Sequence, residues 1–184
     1  LHTDILKALE KLHYEQVLPI QEQVIPEILK GRDVIVRSRT GSGKTASFAI
    51  PIVQELIWEE REPQAIILTP TRELALQIKE DFDNIGAYRR IKTVAIFGKQ
   101  PYKFQIQDLK QRAHVVVGTP GRILDHLERE TLKTGHIRYV IIDEADEMLN
   151  MGFIESVQSI FNYFPGNKIT CLFSATMPQP IQEL

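Results

Sequence analysis

The sequence predicts an α/β domain with a doubly wound, mostly parallel β-sheet and helices on both faces. Three observations carry that expectation. Short apolar runs rich in β-branched residues recur along the chain, amphipathic stretches at helical spacing separate them, and polar or glycine-rich residues follow nearly every run. A length of 184 residues with 43% hydrophobic content suits one compact domain with a sizeable core.

Taken in order, Ile5, Leu6, Leu9 and Leu12 mark a first helix, and Ile20, Val24, Ile25 and Ile28 a second that Gly31 is placed to stop. The six apolar runs follow at residues 34–36, 65–68, 93–97, 115–117, 139–142 and 169–173. All are apolar on both faces, as strands of a covered parallel sheet should be. Leu74, Ala75, Ile78, Phe82 and Ile85 form one helical stripe between them, and Ile154, Val157, Ile160 and Phe161 another.

Bulk properties exclude several classes. A net charge of -2 argues against nucleic-acid binding through a strong overall positive field, so such binding would need a few placed contacts. The single cysteine, Cys171, lies in an apolar run, which suits a buried inert thiol and rules out an internal disulfide. His2, His13, His114, His126 and His136 show no metal-ligand spacing with the cysteine or with each other. No apolar stretch is long enough for a membrane span and no signal peptide is visible, so a cytoplasmic protein is expected.

In open α/β sheets ligands gather at the carboxyl ends of the strands. After the first run comes Ser38-Arg39-Thr40-Gly41-Ser42-Gly43-Lys44-Thr45, which resembles a phosphate-binding P-loop with Ser38 in place of the first glycine. There the backbone curls to aim N–H groups at phosphate oxygens, Lys44 reaches the β- and γ-phosphates, and the Thr45 hydroxyl binds magnesium. After the fifth run comes Asp143-Glu144, an acidic pair costly to bury without a cation. Alone it reads as a helix start; behind a P-loop, Asp143 reads as the magnesium acid and Glu144 as the residue that activates water. Together they point to hydrolysis of ATP or GTP.

Two other strand ends share the pattern Thr-Pro-x-Arg, at Thr69-Pro70-Thr71-Arg72 and Thr119-Pro120-Gly121-Arg122. Each has the composition of a capped helix N-terminus with a free arginine. The pair either binds successive phosphates of a strand or consists of ordinary helix starts whose arginines form salt bridges. Gly98-Lys99 adds a third point of close backbone approach. The absence of an obvious aromatic platform favours backbone reading over base reading.

These residues resemble the DEAD-box ATP-dependent RNA helicases, most of all bacterial members. Asp143-Glu144-Ala145-Asp146 is the motif that names the family, and Thr-Gly-Ser-Gly-Lys-Thr (40–45), Pro-Thr-Arg-Glu-Leu-Ala (70–75), Thr-Pro-Gly-Arg (119–122) and Ser-Ala-Thr (174–176) accompany it in order. The resemblance spans essentially the whole chain and implies a RecA-like domain over residues 1–184, ATP rather than GTP, and magnesium. It implies a Q motif at 14–21, with Tyr14 stacking on adenine, Gln21 reading its edge and Gln16 adding a contact. It assigns Lys44, Asp143 and Glu144 to catalysis and the loop 38–45 to phosphate. Pro70, Thr71, Arg72, Gly98, Thr119, Gly121 and Arg122 would hold the RNA backbone, and Asp146, Ser174 and Thr176 would couple nucleotide state to RNA.

Departures are specific. Ser38-Arg39 stands where Ala-Gln is usual, Val17-Leu18 replaces Pro-Thr before Pro19 and loses a capping hydroxyl, and Lys99 replaces a second glycine. The resemblance implies a second RecA-like domain, with arginine fingers worth roughly 10³–10⁵ in turnover in comparable enzymes, that this chain does not contain. The 184 residues are therefore expected to be monomeric and nearly inactive alone. A parent protein that clamps RNA without unwinding it would carry the same motifs. A small-molecule kinase would instead show an acceptor pocket and lid.

Overall fold

The computed structural model describes residues 1–39 and 43–184. In chain order the elements are α1 (Thr3–Lys11), α2 (Pro19–Leu29), β1 (Val34–Arg37), α3 (Lys44–Glu55), β2 (Ala65–Leu68), α4 (Arg72–Ile85), β3 (Thr93–Ile96) and α5 (Tyr102–Lys110). Then come β4 (Val115–Gly118), α6 (Pro120–Glu128), β5 (Tyr139–Ile142), α7 (Ala145–Asn150), α8 (Ile154–Phe161), β6 (Ile169–Ser174) and α9 (Gln179–Gln182). Each expected apolar run is a strand, with ends displaced by at most one residue. The sheet is wholly parallel, where a mostly parallel one was expected, in the order β1-β6-β5-β2-β4-β3.

Period-two alternation sends the strand side chains into two separate cores. Ala65 and Ile67 of β2 join Phe48 of α3, Phe82 of α4 and Phe173 of β6 on one face, where α1 and α2 also pack. The Phe48 and Phe173 ring centroids lie 5.3 Å apart. Ile66 and Leu68 of the same strand join Ile123 of α6, Met148 of α7 and Val157 of α8 on the other. The central strands β2, β4 and β5 are buried throughout. Strand β1 departs from that pattern: it alternates, and Ile35 is 74% exposed. As an edge strand it packs Val34 and Val36 against the α2 side and leaves its other face uncovered.

Local chemistry sets the helix ends. Gly31, at φ +79°, follows α2 in the left-handed conformation that ends helices. At the start of α2 the Leu18 side chain offers no acceptor, as its replacement of threonine predicts. Only the reciprocal half of a capping box forms, with Gln21 Oε1 accepting from Leu18 N at 3.1 Å.

At the opposite end of the sheet the loops are tied by polar clasps. Gln64 exchanges two hydrogen bonds with the Ile57 backbone, at 2.8 and 2.7 Å. His114 accepts from Lys92 N through Nδ1 and faces the Trp58 carbonyl through Nε2, a pattern that needs a neutral ring. Burial pushes its pKa down accordingly. His136 lies between Glu60 and Glu62, at 3.2 and 2.6 Å, a grouping no spacing in the sequence shows.

Strand β4 ends where packing leaves no room for a side chain. A Cβ on Gly118 would lie 2.5 Å from the Ile96 carbonyl oxygen and 2.7 Å from Ile123 Cδ1. Gly118→Ala should therefore lower stability by about 1–3 kcal/mol, read from the urea unfolding midpoint at unchanged m-value. A midpoint equal to that of the wild type would show that β3 and α6 yield at this corner.

Candidate nucleotide and nucleic-acid site

A cleft of about 680 Å³ opens at the carboxyl edge of the sheet. Its walls come from the loop before α2 (His13, Tyr14, Gln16), from Gln21, from the start of α3 (Gly43, Lys44, Thr45) and from Asp143 and Glu144. The structure thus brings together the residues expected at adenine and phosphate. Thr40, Gly41 and Ser42 lie outside the described residues. Ser38 is half-buried with its hydroxyl unpartnered, and Arg39 is exposed.

Gly43 caps α3 at φ +81°, and a Cβ there would lie 2.5 Å from Leu18 Cδ1 and 3.0 Å from Gln21 Nε2. Only glycine lets the phosphate loop and the Q-motif segment approach this closely. Gln21, 7% exposed, uses the contact: Nε2 donates to the Gly43 carbonyl at 3.3 Å while Oε1 holds Leu18 N. Tyr14 stands exposed at the rim, its phenol pKa raised by partial burial and then by Asp81.

At the floor Lys44 Nζ lies 3.0 Å from Asp143 Oδ1 and donates to Glu144 Oε1 at 3.3 Å. Lys44 is 8% exposed and Asp143 1%. The Asp143 contact is an ion pair without an aligned hydrogen bond, since Oδ1 accepts none of good geometry. Burial raises the Asp143 pKa, and the Lys44 charge offsets this in part. A carboxylate so placed favours cations. Glu144 caps α7 in the left-handed conformation, φ 55°, a strained state for a non-glycine residue of the kind concentrated at active sites.

Asp146, Ser174 and Thr176 form one cluster. Thr176 donates to Asp146 Oδ2 from its backbone N and its hydroxyl, at 3.1 and 3.0 Å. Ser174 Oγ accepts from Asp146 N and donates to the Thr176 carbonyl. Partial burial works to raise the Asp146 pKa, but the bonds from Thr176 and Ser174 outweigh it and hold the carboxyl below its usual range. Ser38 N donates to the Ser174 carbonyl at 3.1 Å, which ties the phosphate loop to the same cluster.

The two Thr-Pro-x-Arg segments differ in structure, although their sequences predict one geometry. In the second, α6 begins at Pro120 with Thr119 as its cap, and the Thr119 hydroxyl makes no capping bond. In the first, α4 begins two residues later, at Arg72. Thr71 caps it by accepting from Leu74 N at 3.2 Å, while Pro70 is buried and precedes the helix. Two hydroxyl-bearing residues compete for one cap there, and Thr71, three residues after the strand end, is the one that reaches an amide.

The arginines differ too. Arg72 is exposed, its guanidinium 5.1 Å from the Phe97 ring. Among the described residues Arg122 forms no salt bridge; neutral groups hold its guanidinium instead. Its Nη1 donates to the Gln100 carbonyl at 2.7 Å and to Gln105 Oε1 at 3.1 Å, with Tyr102 stacked 3.9 Å away. Gly98 and Gly121 are exposed, and Lys99 takes φ 64°.

Leu74, Gln77, Ile78 and Asp81 also line the cleft, and sequence reasoning did not place them there. A signal existed: positions 74, 77, 78 and 81 share one helical face, and Gln77 and Asp81 interrupt its apolar stripe.

A wholly parallel sheet with a glycine-capped helix and its lysine after β1, and an acid after β5 with β6 between them, defines the class as a RecA-like P-loop α/β domain. The family described as DEAD/DEAH box helicase matches residues 18–184, and the chain belongs to that family. It is 56% identical over 181 residues to the ATP-dependent RNA helicase DbpA of Bacillus subtilis, covering 98% of this chain and 38% of that protein. To the DEAD-box ATP-dependent RNA helicase CshA of Geobacillus kaustophilus it is 47% identical over its whole length, which is 39% of that relative. The crystal structure of a DEAD box protein from Methanococcus jannaschii superposes with a TM-score of 0.96 at 45% identity, over all of this chain and 50% of that one. No described helix is long and apolar enough to cross a membrane.

Behind Arg122 lies His126, fully buried, with Nδ1 2.7 Å from Thr131 Oγ1 and Nε2 2.8 Å from Gln105 Oε1. Burial, then the charges of Arg122 and Arg129, lowers its pKa from 6.5 to about 4, against the opposing pull of Asp125. The folded ring stays neutral while the unfolded one takes up a proton below about 6.5, so this stabilisation is lost as pH falls from 6.5 to 4. The stability advantage of the wild type over His126→Gln should shrink across that window in urea titrations. An advantage that is constant, or that grows on acidification, would show that His126 is charged in the fold.

Proposed function

We propose that this chain is the nucleotide-binding domain of an ATP-dependent RNA helicase. The observation that carries the reading is the buried Lys44–Asp143–Glu144 cluster at the floor of a cleft that Tyr14, Gln16 and Gln21 also line. Gln21 commits one N–H to the Gly43 carbonyl and one lone pair to Leu18 N, which leaves a second N–H and a second lone pair as the complement of the adenine edge. Tyr14 stacks on the ring from the rim. On nucleotide binding Lys44 exchanges its carboxylate partners for phosphate oxygens. Asp143 and Thr45 would hold a magnesium ion, which would supply charge neutralisation at the triphosphate. Glu144 orients the attacking water and accepts its proton.

The other half of the same edge receives RNA by its backbone. Thr71, Arg72, Gly98, Thr119, Gly121 and Arg122, with Pro70 shaping the first turn, present amides, hydroxyls and cations without a base-stacking platform. Asp146, Ser174 and Thr176 link the two halves. The chain spans 38–39% of the length of these curated relatives, so duplex unwinding and efficient turnover belong to this domain with a second RecA-like domain. A single buried cysteine, its pKa pushed up to about 12 by burial, suits a reducing cytoplasm.

Titration with labelled ADP, competed by GDP, tests the reading. The wild type should prefer ADP, Gln21→Ala should lose about tenfold of that preference, and Lys44→Ala should weaken both diphosphates at least about tenfold. Equal affinity of the wild type for ADP and GDP would remove the adenine-reading role of Gln21, and undiminished binding by Lys44→Ala would remove the P-loop.

A further inference from the structure

Beneath the RNA-facing half of the edge lies a polar network with no part in nucleotide chemistry. Gln105, on α5, is 1% exposed and sits at its centre. Its Nε2 donates to the Phe97 carbonyl at 2.9 Å and to Gln100 Oε1 at 3.2 Å. Its Oε1 accepts from Arg122 at 3.1 Å and from His126 Nε2 at 2.8 Å. The Phe97 carbonyl demands a donor, which fixes the amide orientation, and that orientation makes His126 Nε2 a donor in turn. Both amide hydrogens and the carbonyl of Gln105 are therefore committed.

The groups held this way are the ones that present the surface. Phe97 and Gln100 bracket Gly98 and Lys99, which are exposed, and nothing lies within 4 Å of a Cβ built on Gly98. Arg122 is in the first turn of α6, beside exposed Gly121. It also donates to the Gln100 carbonyl, so the turn and the helix start are bonded directly and through Gln105. Tyr102 adds a second brace, with the Arg122 and Arg129 guanidiniums 3.9 and 3.8 Å from its ring centroid and its hydroxyl donating to Asp125 at 2.7 Å.

A buried amide satisfied at every position is costly to disturb, because each lost partner leaves another group unpaired in a dry site. We propose that Gln105 is a positioning residue for RNA: it sets the spacing between the Gly98 turn and the start of α6, so that both meet neighbouring phosphates of one strand. The role rests on the RNA-binding reading above. It accounts for an interior glutamine in a helix whose other buried side chain is Leu109. Arg122 is thereby held with part of its guanidinium already engaged, and its contribution to RNA depends on Gln105.

The test is fluorescence anisotropy of this chain with a labelled single-stranded RNA across a salt series, with ADP affinity measured alongside. Gln105→Met should weaken RNA binding about tenfold and flatten the salt slope by about 0.7, the value of one phosphate contact, with ADP affinity unchanged. Arg122→Lys should cost affinity in the wild type and add little in the Gln105→Met background. RNA affinity of Gln105→Met within twofold of the wild type, or full additivity of the two substitutions, overturns the proposal. If Gln105→Met loses ADP binding as well, Gln105→Glu decides. It keeps both acceptor bonds and loses the donations to Phe97 and Gln100, so an unchanged RNA affinity there also overturns it. A wild-type chain that binds ADP but no RNA overturns the RNA-binding reading and this role with it, whereas wild-type binding matched by the variants sinks this role alone.

Discussion

The whole site depends on every strand pointing the same way. A parallel sheet covered on both faces offers its backbone to ligands only at its ends, and here all six carboxyl ends open on one rim. The order of strands then sorts the chemistry. Strands β1, β6 and β5 are neighbours, which places the loop after Arg37, the Ser174–Thr176 segment and Asp143–Asp146 side by side. Strands β2, β4 and β3 are neighbours too, which groups Arg72, Thr119 and Gly98. The residues proposed for nucleotide and those proposed for RNA therefore fall on separate halves of the rim, though the chain visits the two halves alternately. A change of strand order with the same motifs would scatter both.

Within the first half, energetics turn on one carboxylate. Asp143 sits at the end of a fully apolar strand, where ionisation is unfavourable without a cation. Lys44 supplies that cation from the start of α3, and the two are among the most buried charges in the protein. Such a pair gains little net stability, because desolvation cancels most of the attraction. In the proposed reading its value lies in being exchangeable, with phosphate oxygens taking over Lys44 and a cation taking over Asp143. The Gln21–Gly43 contact fixes the start of α2 to the start of α3 on the same side of the cleft.

Much of this was legible in the sequence because it depends on composition at fixed points. Runs of β-branched residues are strands wherever both faces are covered, so all six were located. The exception in character, β1, shows the limit: Val34-Ile35-Val36 reads like any buried strand, and only its edge position exposes Ile35. The motif residues converge as expected at Lys44, Asp143, Glu144, Asp146, Ser174 and Thr176. The two Thr-Pro-x-Arg segments could not be told apart, because cap choice depends on how the chain leaves the strand. In one the strand end feeds directly into α6 at Pro120; in the other two residues intervene and Thr71 becomes the cap. Arg122 was legible as a cation but not as one already bonded, since its partners Gln100 and Gln105 come from another loop and helix. Gln77 and Asp81 were visible as polar interruptions of an apolar stripe, yet what they face is a cleft created by a distant segment.

The junction of the two halves is more constrained than either. The Ser174 hydroxyl has one proton, and it is given to the Thr176 carbonyl while the oxygen receives Asp146 N. Thr176 in turn spends both its backbone N and its hydroxyl on the Asp146 carboxylate. The start of α7 and the end of β6 therefore cannot separate without leaving several groups unpaired at once, at about 1–3 kcal/mol for each that stays buried. Because the Ser174 carbonyl also receives Ser38 N, the entry to the phosphate loop belongs to the same bonded unit. Asp146 and Thr176 are shallow enough for an incoming polar partner to replace these bonds rather than merely break them. A rearrangement here thus requires something that supplies equivalent donors and acceptors, and the proposed link between nucleotide and RNA would have to take that physical form.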